Sequence, residues 1–359
     1  MTICYFGIYN PKYCRNRNII IGLKENGVKV IEVNERMGRF KKYWRLIKKH
    51  QEIKDKYDLM IVGFPGHIVM PLAKLICRKP IIFDVHLSYY DSLVYNWGKI
   101  KKNSLQALWY FFLDWFSCRL ADVVLLDTKS HIKYFVKKFK IPESKFIVVY
   151  HGADDSLFSA SHKFRQIDNQ QKDEFIVEFH AYFTRLHGLK YVIQAIDILK
   201  GEKIKLWVIG RGEEYKKAKV LVNKLGLNNV VFYPVLPPLQ LVKQISKADL
   251  GIGILGDTDK VDRVIPNKLY ELVALRIPVL TADSPAVREK FSSKDLALCP
   301  KATPQAIART IKLVKDDIKL RLTLINNSYI IFKKDLIPKA VGRQLLDHLK
   351  DKIKYLDYK

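Results

Sequence analysis

The sequence predicts an α/β protein of two domains, each built around a parallel β-sheet. Short apolar segments with strand character alternate with longer segments with helical character, and this alternation is typical of parallel sheets. The chain has 359 residues, which is enough for two substantial hydrophobic cores. A polar stretch without apolar periodicity, residues 159–173, divides the alternating segments into two series.

The chain is strongly basic, with a formal net charge of +27. Such a charge indicates an anionic partner, which is a nucleic acid, an anionic membrane or a phosphorylated ligand. The five cysteines are scattered without metal-ligand spacing, so we expect a reduced, cytoplasmic setting. We expect neither a signal peptide nor a transmembrane helix, because Met1 leads directly into a predicted strand and no long apolar run occurs.

The first series of segments begins with a strand that ends at Gly7. Its other predicted strands span residues 28–33, 57–62, 80–85, 123–126 and 146–149, and its predicted helices span residues 19–26, 39–56, 104–120 and 129–139. Ligands of parallel sheets bind beyond the carboxyl ends of the strands, so Gly7 lies where a ligand is expected. A Gly-rich dinucleotide fingerprint is absent there, which argues against a simple dehydrogenase.

Two histidines follow predicted strand ends in this series, and both are expected near the same crevice. His86 is interpreted as a functional residue, whereas His67 is interpreted as bonded within its own loop. Asp84 and Asp91 are weaker candidates for contacts to an acceptor, because carboxylates near strand ends are common.

The predicted helix at residues 39–56 has two contrasting faces. Apolar side chains lie along one side (Phe40, Tyr43, Trp44, Ile47) and basic ones along the other (Lys41, Lys42, Arg45, Lys48, Lys49). A basic amphipathic helix of this kind can lie in the headgroup layer of an anionic membrane. The aromatic stretch at residues 109–116 is a second candidate for membrane contact. The alternative is that the first helix is solvated outside and packed inside, and that the second is buried.

The second series begins with a strand at residues 175–179, and its later strands are predicted at residues 205–209, 230–232, 249–254 and 278–282. The strand at 205–209 ends in Gly210-Arg211-Gly212, where Gly210 and Gly212 allow the backbone to approach a ligand closely. Helices are predicted at residues 239–246 and between residues 304 and 352.

A helix with an anion-binding start is predicted after residue 262. Pro266 presets the backbone for a helix start, and Asn267 can cap the helix. Leu269, Leu272 and Val273 share one helical face, so that face is expected to be buried. Free N–H groups at residues 267–269 favour an anion, typically a phosphate.

Charged side chains at this helix start indicate which class of anionic ligand binds there. Lys268 and Arg263 add positive charge beside the N–H groups, and the two carboxylate oxygens of Glu271 can grip a vicinal diol. A diphosphate next to a ribose fits this description.

The pattern at residues 262–289 resembles the donor site of the family 4 glycosyltransferases, which are retaining enzymes with the GT-B fold. The family motif has two glutamates with seven residues between them: Glu271 matches the second, and Arg263 stands at the position of the first. A subgroup of the family carries Ile-Pro-Asn-Lys before the second glutamate, as at residues 265–268 here. The turn at residues 5–11, followed by Arg15-Asn16-Arg17, is similar to the opening of the same subgroup.

The resemblance implies two Rossmann-like parallel-sheet domains that face each other across a cleft. Residues 1–160 would form the acceptor-side domain, residues 161–174 the linker, residues 175–335 the nucleotide-sugar-binding domain, and residues 336–359 a helix returning toward the first domain.

The resemblance also implies roles for individual residues. His86 would lie near the donor sugar, and Arg185 and Lys268 would stabilise the leaving diphosphate, which makes these three the predicted catalytic residues. The predicted donor-binding residues are Gly7, Gly210, Gly212, Arg263, Asn267, Lys268, Leu269 and Glu271.

The loop at residues 180–188 departs from the family pattern. The family usually holds an Arg and a Lys there, and both neutralise the donor diphosphate. Tyr182 and His187 stand at those positions here, so Arg185 is expected to substitute, and His187 to assist if it is protonated. We expect no essential metal, because the one Asp-x-Asp sequence, at residues 257–259, is interpreted as a solvated turn.

The predicted function is that of a retaining, hexosyltransferase-like enzyme. It would move a sugar from a nucleotide-diphosphate sugar to the hydroxyl of a lipid-linked or cell-surface glycan in polysaccharide biosynthesis. We expect a cytoplasmic protein, peripheral on the inner face of the cell membrane, with no nucleic acid as partner. Two alternatives stay open: a nucleotide-sugar epimerase of the same fold, and a non-catalytic basic protein that binds nucleic acid.

Overall fold

A computed structural model describes residues 1–159 and 174–357, with the side chains of residues 353–357 left aside. The chain forms two compact units: the first unit is Met1–Gly152 with Asp335–Lys359, and the second unit is Ala153–Lys334. The predicted linker at residues 161–174 lies outside the described residues except for Glu174.

The first unit is built on a parallel sheet of six strands in the order β2-β1-β3-β4-β5-β6. The strands are β1 (Thr2–Gly7), β2 (Lys29–Asn34), β3 (Leu59–Val62), β4 (Ile81–Asp84), β5 (Val123–Leu126) and β6 (Phe146–Val148). The order reverses between β1 and β3, whose pairing runs from Ile3 opposite Leu59 to Phe6 opposite Val62. The predicted parallel sheet is confirmed, and Gly7 lies at its carboxyl edge.

The helices between these strands cover both faces of the sheet. They are α1 (Cys14–Glu25), α2 (Lys41–Gln51), α3 (Met70–Ile76), α4 (Leu105–Leu120) and α5 (Lys129–Phe139). Helices α2 to α5 pack into one core through side chains such as Leu46, Ala73, Ala107 and Phe135. Helix α1 packs on the other face through Ile19 and Leu23. It begins five residues before the predicted start at residue 19.

The second unit repeats this plan, with a parallel sheet in the order β12-β11-β10-β7-β8-β9. Its helices are α6 (Asp155–Ser159), α7 (Leu189–Ile198), α8 (Glu213–Leu225), α9 (Pro238–Ile245), α10 (Asn267–Ala274), α11 (Pro285–Arg288), α12 (Pro304–Asp316) and α13 (Ile318–Ile331). Its strands are β7 (Phe175–Tyr182), β8 (Ile204–Arg211), β9 (Val230–Tyr233), β10 (Leu250–Ile252), β11 (Val279–Ala282) and β12 (Ala297–Cys299).

The last helix, α14 (Pro338–Asp357), belongs to the first unit. It packs against α1 where Gly22 meets Gly342: a Cβ added to Gly22 would lie 2.9 Å from the Gly342 nitrogen and 2.1 Å from the Pro338 carbonyl oxygen. Two backbones approach this closely only where side chains are absent.

Helix α10 forms where it was predicted, with one difference at its start. Pro266 is the residue before the helix and has an extended backbone, whereas Asn267 is the first helical residue. Asn267 therefore does not cap α10 as predicted. The predicted apolar face is confirmed, because Leu269, Leu272 and Val273 are fully buried.

Candidate functional site

The carboxyl edge of the second sheet gathers charged side chains at the point where the strand order reverses. Strands β7 and β10 are neighbours there, although β8 and β9 come between them in the chain. Crevices at such switch points are the usual ligand sites of parallel α/β sheets. His180 lies near the end of β7, and α10 is the first α-helix after β10, reached through a segment that contains a 3-10 turn at Asp259–Asp262.

His180 bridges two carboxylates at this edge. Its Nδ1 atom lies 3.0 Å from Oε2 of Glu178, and its Nε2 atom lies 3.1 Å from Oε2 of Glu271. Burial disfavours charge on His180, but the carboxylates of Glu178 and Glu271 outweigh burial and raise the pKa of His180 to about 9. At neutral pH an imidazolium therefore holds the Glu271 carboxylate in place.

Lys268 is buried beside this bridge. Only 6% of the residue is exposed, and its Nζ atom lies 3.9 Å from the centre of the Phe179 ring. Nζ has no hydrogen-bond partner within the described residues. Burial lowers the pKa of Lys268 well below its ordinary value, although the carboxylates of Glu178 and Glu271 oppose that shift. Lys268 was predicted to add positive charge beside the helix start, and its amine is enclosed by protein there.

Glu271 is the part of the cluster that solvent still reaches. Its side chain is 18% exposed, one turn into α10, while His180 holds one of its oxygens. A fixed carboxylate with partial access is suited to accept hydrogen bonds from ligand hydroxyls.

Arg185 lies on the loop after β7, in a short 3-10 turn at Arg185–His187. Its guanidinium is more than half exposed and lies 3.6 Å from Oδ1 of Asp257. The other oxygen of Asp257 lies 3.5 Å from Nζ of Lys190 and accepts a hydrogen bond of 3.1 Å from Tyr191. Asp257 is therefore paired with two cations and a phenol, while Asp257 and Asp259 are both exposed, as expected for a solvated turn.

His187 lies in the same turn, and its ring accepts a hydrogen bond from the backbone. The Thr184 N–H donates to Nδ1 of His187 over 3.1 Å. Burial, aided by the positive charge of Lys268, lowers the pKa of His187 well below its ordinary value. The ring is therefore neutral at pH 7, which opposes the predicted assistance by a protonated His187.

Three other predicted donor-binding residues of the second unit differ in how deeply they are buried. Arg263 is half-buried and directly follows a 3-10 turn at Asp259–Asp262, and Asn267 is half-buried at the start of α10. Leu269 is fully buried, and its N–H donates to the Pro266 carbonyl over 3.0 Å. Leu269 is a packing residue, so neither its side chain nor its N–H faces a ligand.

Gly210 and Gly212 are required by the packing of β8 against β7. A Cβ on Gly210 would lie 2.0 Å from the Ala181 carbonyl oxygen, and one on Gly212 would lie 2.3 Å from the Phe183 carbonyl oxygen. Both glycines also have positive φ, +139° and +136°. Contacts inside the protein therefore already account for these glycines.

In the first unit, His86 follows the carboxyl end of β4 and has an unusual backbone. Its φ is +53°, a left-handed conformation that a non-glycine residue adopts at a cost of about 1–2 kcal/mol. Its Nε2 atom lies 2.9 Å from the Tyr13 hydroxyl, and its Nδ1 atom lies 2.8 Å from Nε2 of His151. Burial lowers the pKa of His151 well below its ordinary value, so that ring is neutral. His86 is thus held in a fixed orientation at both nitrogens.

Two weaker candidates of this unit have structural roles. Asp84 is fully buried and accepts hydrogen bonds of 2.9–3.1 Å from the Arg15 guanidinium, so its predicted availability to an acceptor is wrong. His67 is also fully buried, and its Nε2 atom lies 3.2 Å from Oδ1 of Asp114 in α4, which is a contact outside the loop in which its bonding was predicted. Asp91 is buried at the start of a π-helical segment, Asp91–Asn96.

Comparison with solved structures identifies the class of fold. The Anabaena protein HepE in complex with UDP superposes with a TM-score of 0.72 at 16% identity, over 98% of this chain and 100% of that one. Sucrose-phosphate synthase from Thermosynechococcus elongatus gives a TM-score of 0.72 at 15% identity, over 99% and 100% of the two chains. These likenesses show the fold alone, which is the two-domain GT-B fold that was predicted.

Family models identify the family. The model described as "Glycosyltransferase Family 4" matches residues 13–157, and the model described as "Glycosyl transferases group 1" matches residues 161–330. Because the two matches together span most of the chain, the chain belongs to the family 4 glycosyltransferases, as predicted.

Curated relatives are more distant in sequence. Chitobiosyldiphosphodolichol beta-mannosyltransferase of Candida albicans is 26% identical over 222 residues, which are 56% of this chain and 48% of that protein. An uncharacterized glycosyltransferase of Methanocaldococcus jannaschii is 25% identical over 199 residues, or 53% of this chain and 45% of that protein. The chain thus matches about half the length of these relatives.

Proposed function

We propose that the protein is a retaining glycosyltransferase that moves a sugar from a nucleotide-diphosphate sugar to an acceptor hydroxyl. The acceptor is a lipid-linked or cell-surface glycan at the cytoplasmic face of a membrane, in polysaccharide biosynthesis. Membership of the family supports transfer. A solved neighbour in complex with UDP-glucose supports the donor class, and a relative named for a diphosphodolichol supports a lipid-linked acceptor.

The observation that carries the proposal is the cluster of Glu271, His180 and Lys268 at the start of α10. A nucleotide diphosphate presents a ribose diol and an anion a few ångströms apart. Glu271, oriented by the His180 hydrogen bond of 3.1 Å, accepts from the ribose hydroxyls. The diphosphate supplies a hydrogen-bond acceptor for the Nζ atom of Lys268, which has none among the described residues.

The same residues account for the chemistry of bond cleavage. Breaking the bond between sugar and diphosphate develops negative charge on the leaving group, and cations fixed in a buried site stabilise that charge most effectively. Lys268 is such a cation, and binding of the diphosphate favours its protonated form by opposing the effect of burial. Arg185, on the loop after β7, adds a mobile charge.

The proposed reaction has no essential divalent metal, because side-chain cations compensate the negative charge of the diphosphate. Asp257, which belongs to the single Asp-x-Asp sequence, is already paired with Arg185 and Lys190. Transfer should therefore persist when a chelator of divalent metals is added. Loss of transfer that Mg²⁺ or Mn²⁺ restores would contradict this part of the proposal.

Ligand screening tests the proposal. Nucleoside diphosphates and their sugars are added singly, and the melting temperature is recorded, since a ligand that binds only the folded state raises it. We expect one nucleotide to stabilise the wild type and a Glu143→Gln control, which alters an exposed carboxylate of the first unit, but to stabilise Glu271→Gln much less. No response to any nucleotide would contradict the proposal.

Products then define the reaction. The stabilising nucleotide sugar is incubated with membrane glycolipid acceptors, and the anomeric configuration of the product is determined by NMR. Retention of the donor configuration is expected. Inversion would contradict the retaining assignment, and an epimerised donor sugar without transfer would contradict the proposed reaction.

A further inference from the structure

One face of α4 in the first unit carries apolar side chains that no described part of the protein covers. Leu105, Leu108, Trp109 and Phe112 are all exposed, from 85% for Leu105 to 42% for Phe112. Their spacing of three and four residues places them on one side of a helix. The opposite side packs into the core through Ala107, Leu113, Ser117 and Cys118. The alternative that this helix is simply buried is therefore wrong.

Neighbouring helices extend the apolar surface. Helix α3 packs against α4, and its Leu75 side chain is exposed. Phe40 and Trp44, at the start of α2, are exposed as well. Helices α2, α3 and α4 all lie on the same face of the first sheet, because their inner side chains share one core. We refer to these three helices and their flanking loops as the outer layer.

The outer layer is predominantly basic. Residues 36–51, 65–83 and 97–113, which contain α2, α3 and the exposed part of α4, include no Asp or Glu. The basic residues in these three segments are Arg36, Arg39, Lys41, Lys42, Arg45, Lys48, Lys49, Lys74, Arg78, Lys79, Lys99, Lys101 and Lys102. Among the described residues, Glu35 pairs with Lys49 and Arg45, and Asp122 pairs with Lys74.

We propose that the outer layer docks on the surface of an anionic lipid bilayer, with α4 lying in the plane of the membrane. Exposed Leu, Trp and Phe side chains enter the boundary between headgroups and acyl chains, while lysines beside them reach the anionic headgroups. Charge complementarity selects this occupant, since an apolar surface flanked by clustered cations matches a negatively charged, apolar partner.

The length of α4 suits a helix that lies on a membrane surface and not one that crosses the bilayer. A bilayer core requires about 20 apolar residues in a helix, and α4 has 16 residues with a polar inner side at Asp114 and Ser117. Among residues 1–159 and 174–357, no helix is long and apolar enough to cross a membrane. The proposal of membrane docking does not depend on the proposed sugar-transfer reaction. If both proposals hold, the acceptor is presented at the membrane surface.

Vesicle flotation of the full chain tests the docking surface without any sugar donor, so its failure would leave the transfer proposal intact. We expect the protein to float with vesicles of phosphatidylcholine and phosphatidylglycerol at low salt, and less at high salt because exposed charges are screened. With phosphatidylcholine alone, binding should be weak. Absence of flotation with the anionic vesicles at low salt would overturn the proposal.

Paired variants locate the surface. Leu108→Ser with Trp109→Ser should lower vesicle binding at both salt concentrations, whereas Val220→Ser with Leu239→Ser, which alters exposed apolar residues of the second unit, should not. Lys101→Ala with Lys102→Ala should weaken binding about 25-fold, at about fivefold per basic residue near an anionic surface. The control of equal charge change is Lys216→Ala with Lys243→Ala, both exposed in the second unit.

Size-exclusion chromatography separates the proposed occupant from a second copy of the chain. The proposal expects the same elution for wild type and for Leu108→Ser with Trp109→Ser. A change from dimer to monomer without any effect on flotation would assign the surface to self-association. Equal losses of vesicle binding in the outer-layer variants and their controls would also overturn the proposal.

Discussion

The Nε2 atom of His180 lies 3.1 Å from Oε2 of Glu271, although 91 residues separate them in the chain. The other ring nitrogen faces Glu178, which is fully buried within β7. A buried carboxylate requires a partner of opposite charge, and His180 provides it to both glutamates. The orientation of the ribose-binding carboxylate in the proposed site therefore depends on a histidine of the neighbouring strand.

Replacing Glu271 by glutamine should impair catalysis and leave the fold intact. A neutral amide accepts weaker hydrogen bonds from a diol than a carboxylate does, by about 1.5–3 kcal/mol, so kcat/KM should fall about 10- to 100-fold. Steady-state kinetics at saturating acceptor and a thermal melt measure the two effects. Glu143→Gln is the control. Wild-type turnover in Glu271→Gln would contradict the assignment of Glu271 as the ribose-binding carboxylate.

Stability should depend on pH through His180. Its folded pKa of about 9 lies above the ordinary value of 6.5. Its contribution is therefore complete below pH 6.5 and is lost as the pH rises to about 9, by about 3 kcal/mol in total. Lys268 acts with the opposite sign, because its pKa is lowered, so the effect of His180 must be isolated by comparison.

That comparison uses two variants studied by urea unfolding across this pH range. His180→Gln removes the cation that hydrogen-bonds to the buried Glu178 carboxylate and should cost about 3–5 kcal/mol at pH 6.5. Adding Glu178→Gln to His180→Gln should recover much of that loss, since the buried charge is removed as well. If His180→Gln and the wild type lose stability equally between pH 6.5 and 9, the bridge does not hold a charged imidazole.

Lys268→Met should change stability and ligand affinity in opposite directions. Methionine has a similar length and no charge to bury, so the free energy of unfolding without ligand should rise or stay equal. The affinity for nucleoside diphosphate should fall about 10- to 100-fold, because a hydrogen bond to a charged group contributes about 1.5–3 kcal/mol. Urea unfolding and calorimetric titration measure the two quantities. Lys216→Met, at an exposed position, is the control.

His86→Ala should lower turnover more than it weakens binding of free nucleotide. His86 belongs to the first unit, and its orientation is fixed by Tyr13 and His151. Single-turnover kinetics and nucleotide titration separate the two effects. His67→Ala is not a suitable control, since His67 is buried beside Asp114, so an exposed His348→Ala serves instead. Normal turnover with lost nucleotide affinity would show that the assigned role is wrong.

The sequence was sufficient to predict both parallel sheets and α10, since apolar runs and helical periodicity are local signals. The enclosure of the Lys268 amine was not predictable, because it depends on Phe179 of another element, although Lys268 precedes Leu272 by four residues and shares its helical face. Likewise, the pairing of Arg15 with Asp84 joins residues 69 positions apart.

One overlooked signal pointed to His180. Glu178 and His180 alternate within an otherwise apolar strand, so their side chains lie on the same side of β7. Two ionisable residues inside a buried strand indicate a polar cluster that needs further partners. By contrast, nothing in the sequence distinguishes a glycine needed for strand packing, as at Gly210, from one needed for ligand approach.

The central claim, that a nucleotide diphosphate binds at the start of α10, is tested most directly by amide hydrogen exchange. Exchange is followed by mass spectrometry with and without the nucleotide that most raises the melting temperature. We predict added protection in peptides covering residues 180–188 and 263–272, and much less of it in Lys268→Met. Protection confined to other peptides, with these two segments unchanged, would contradict the account.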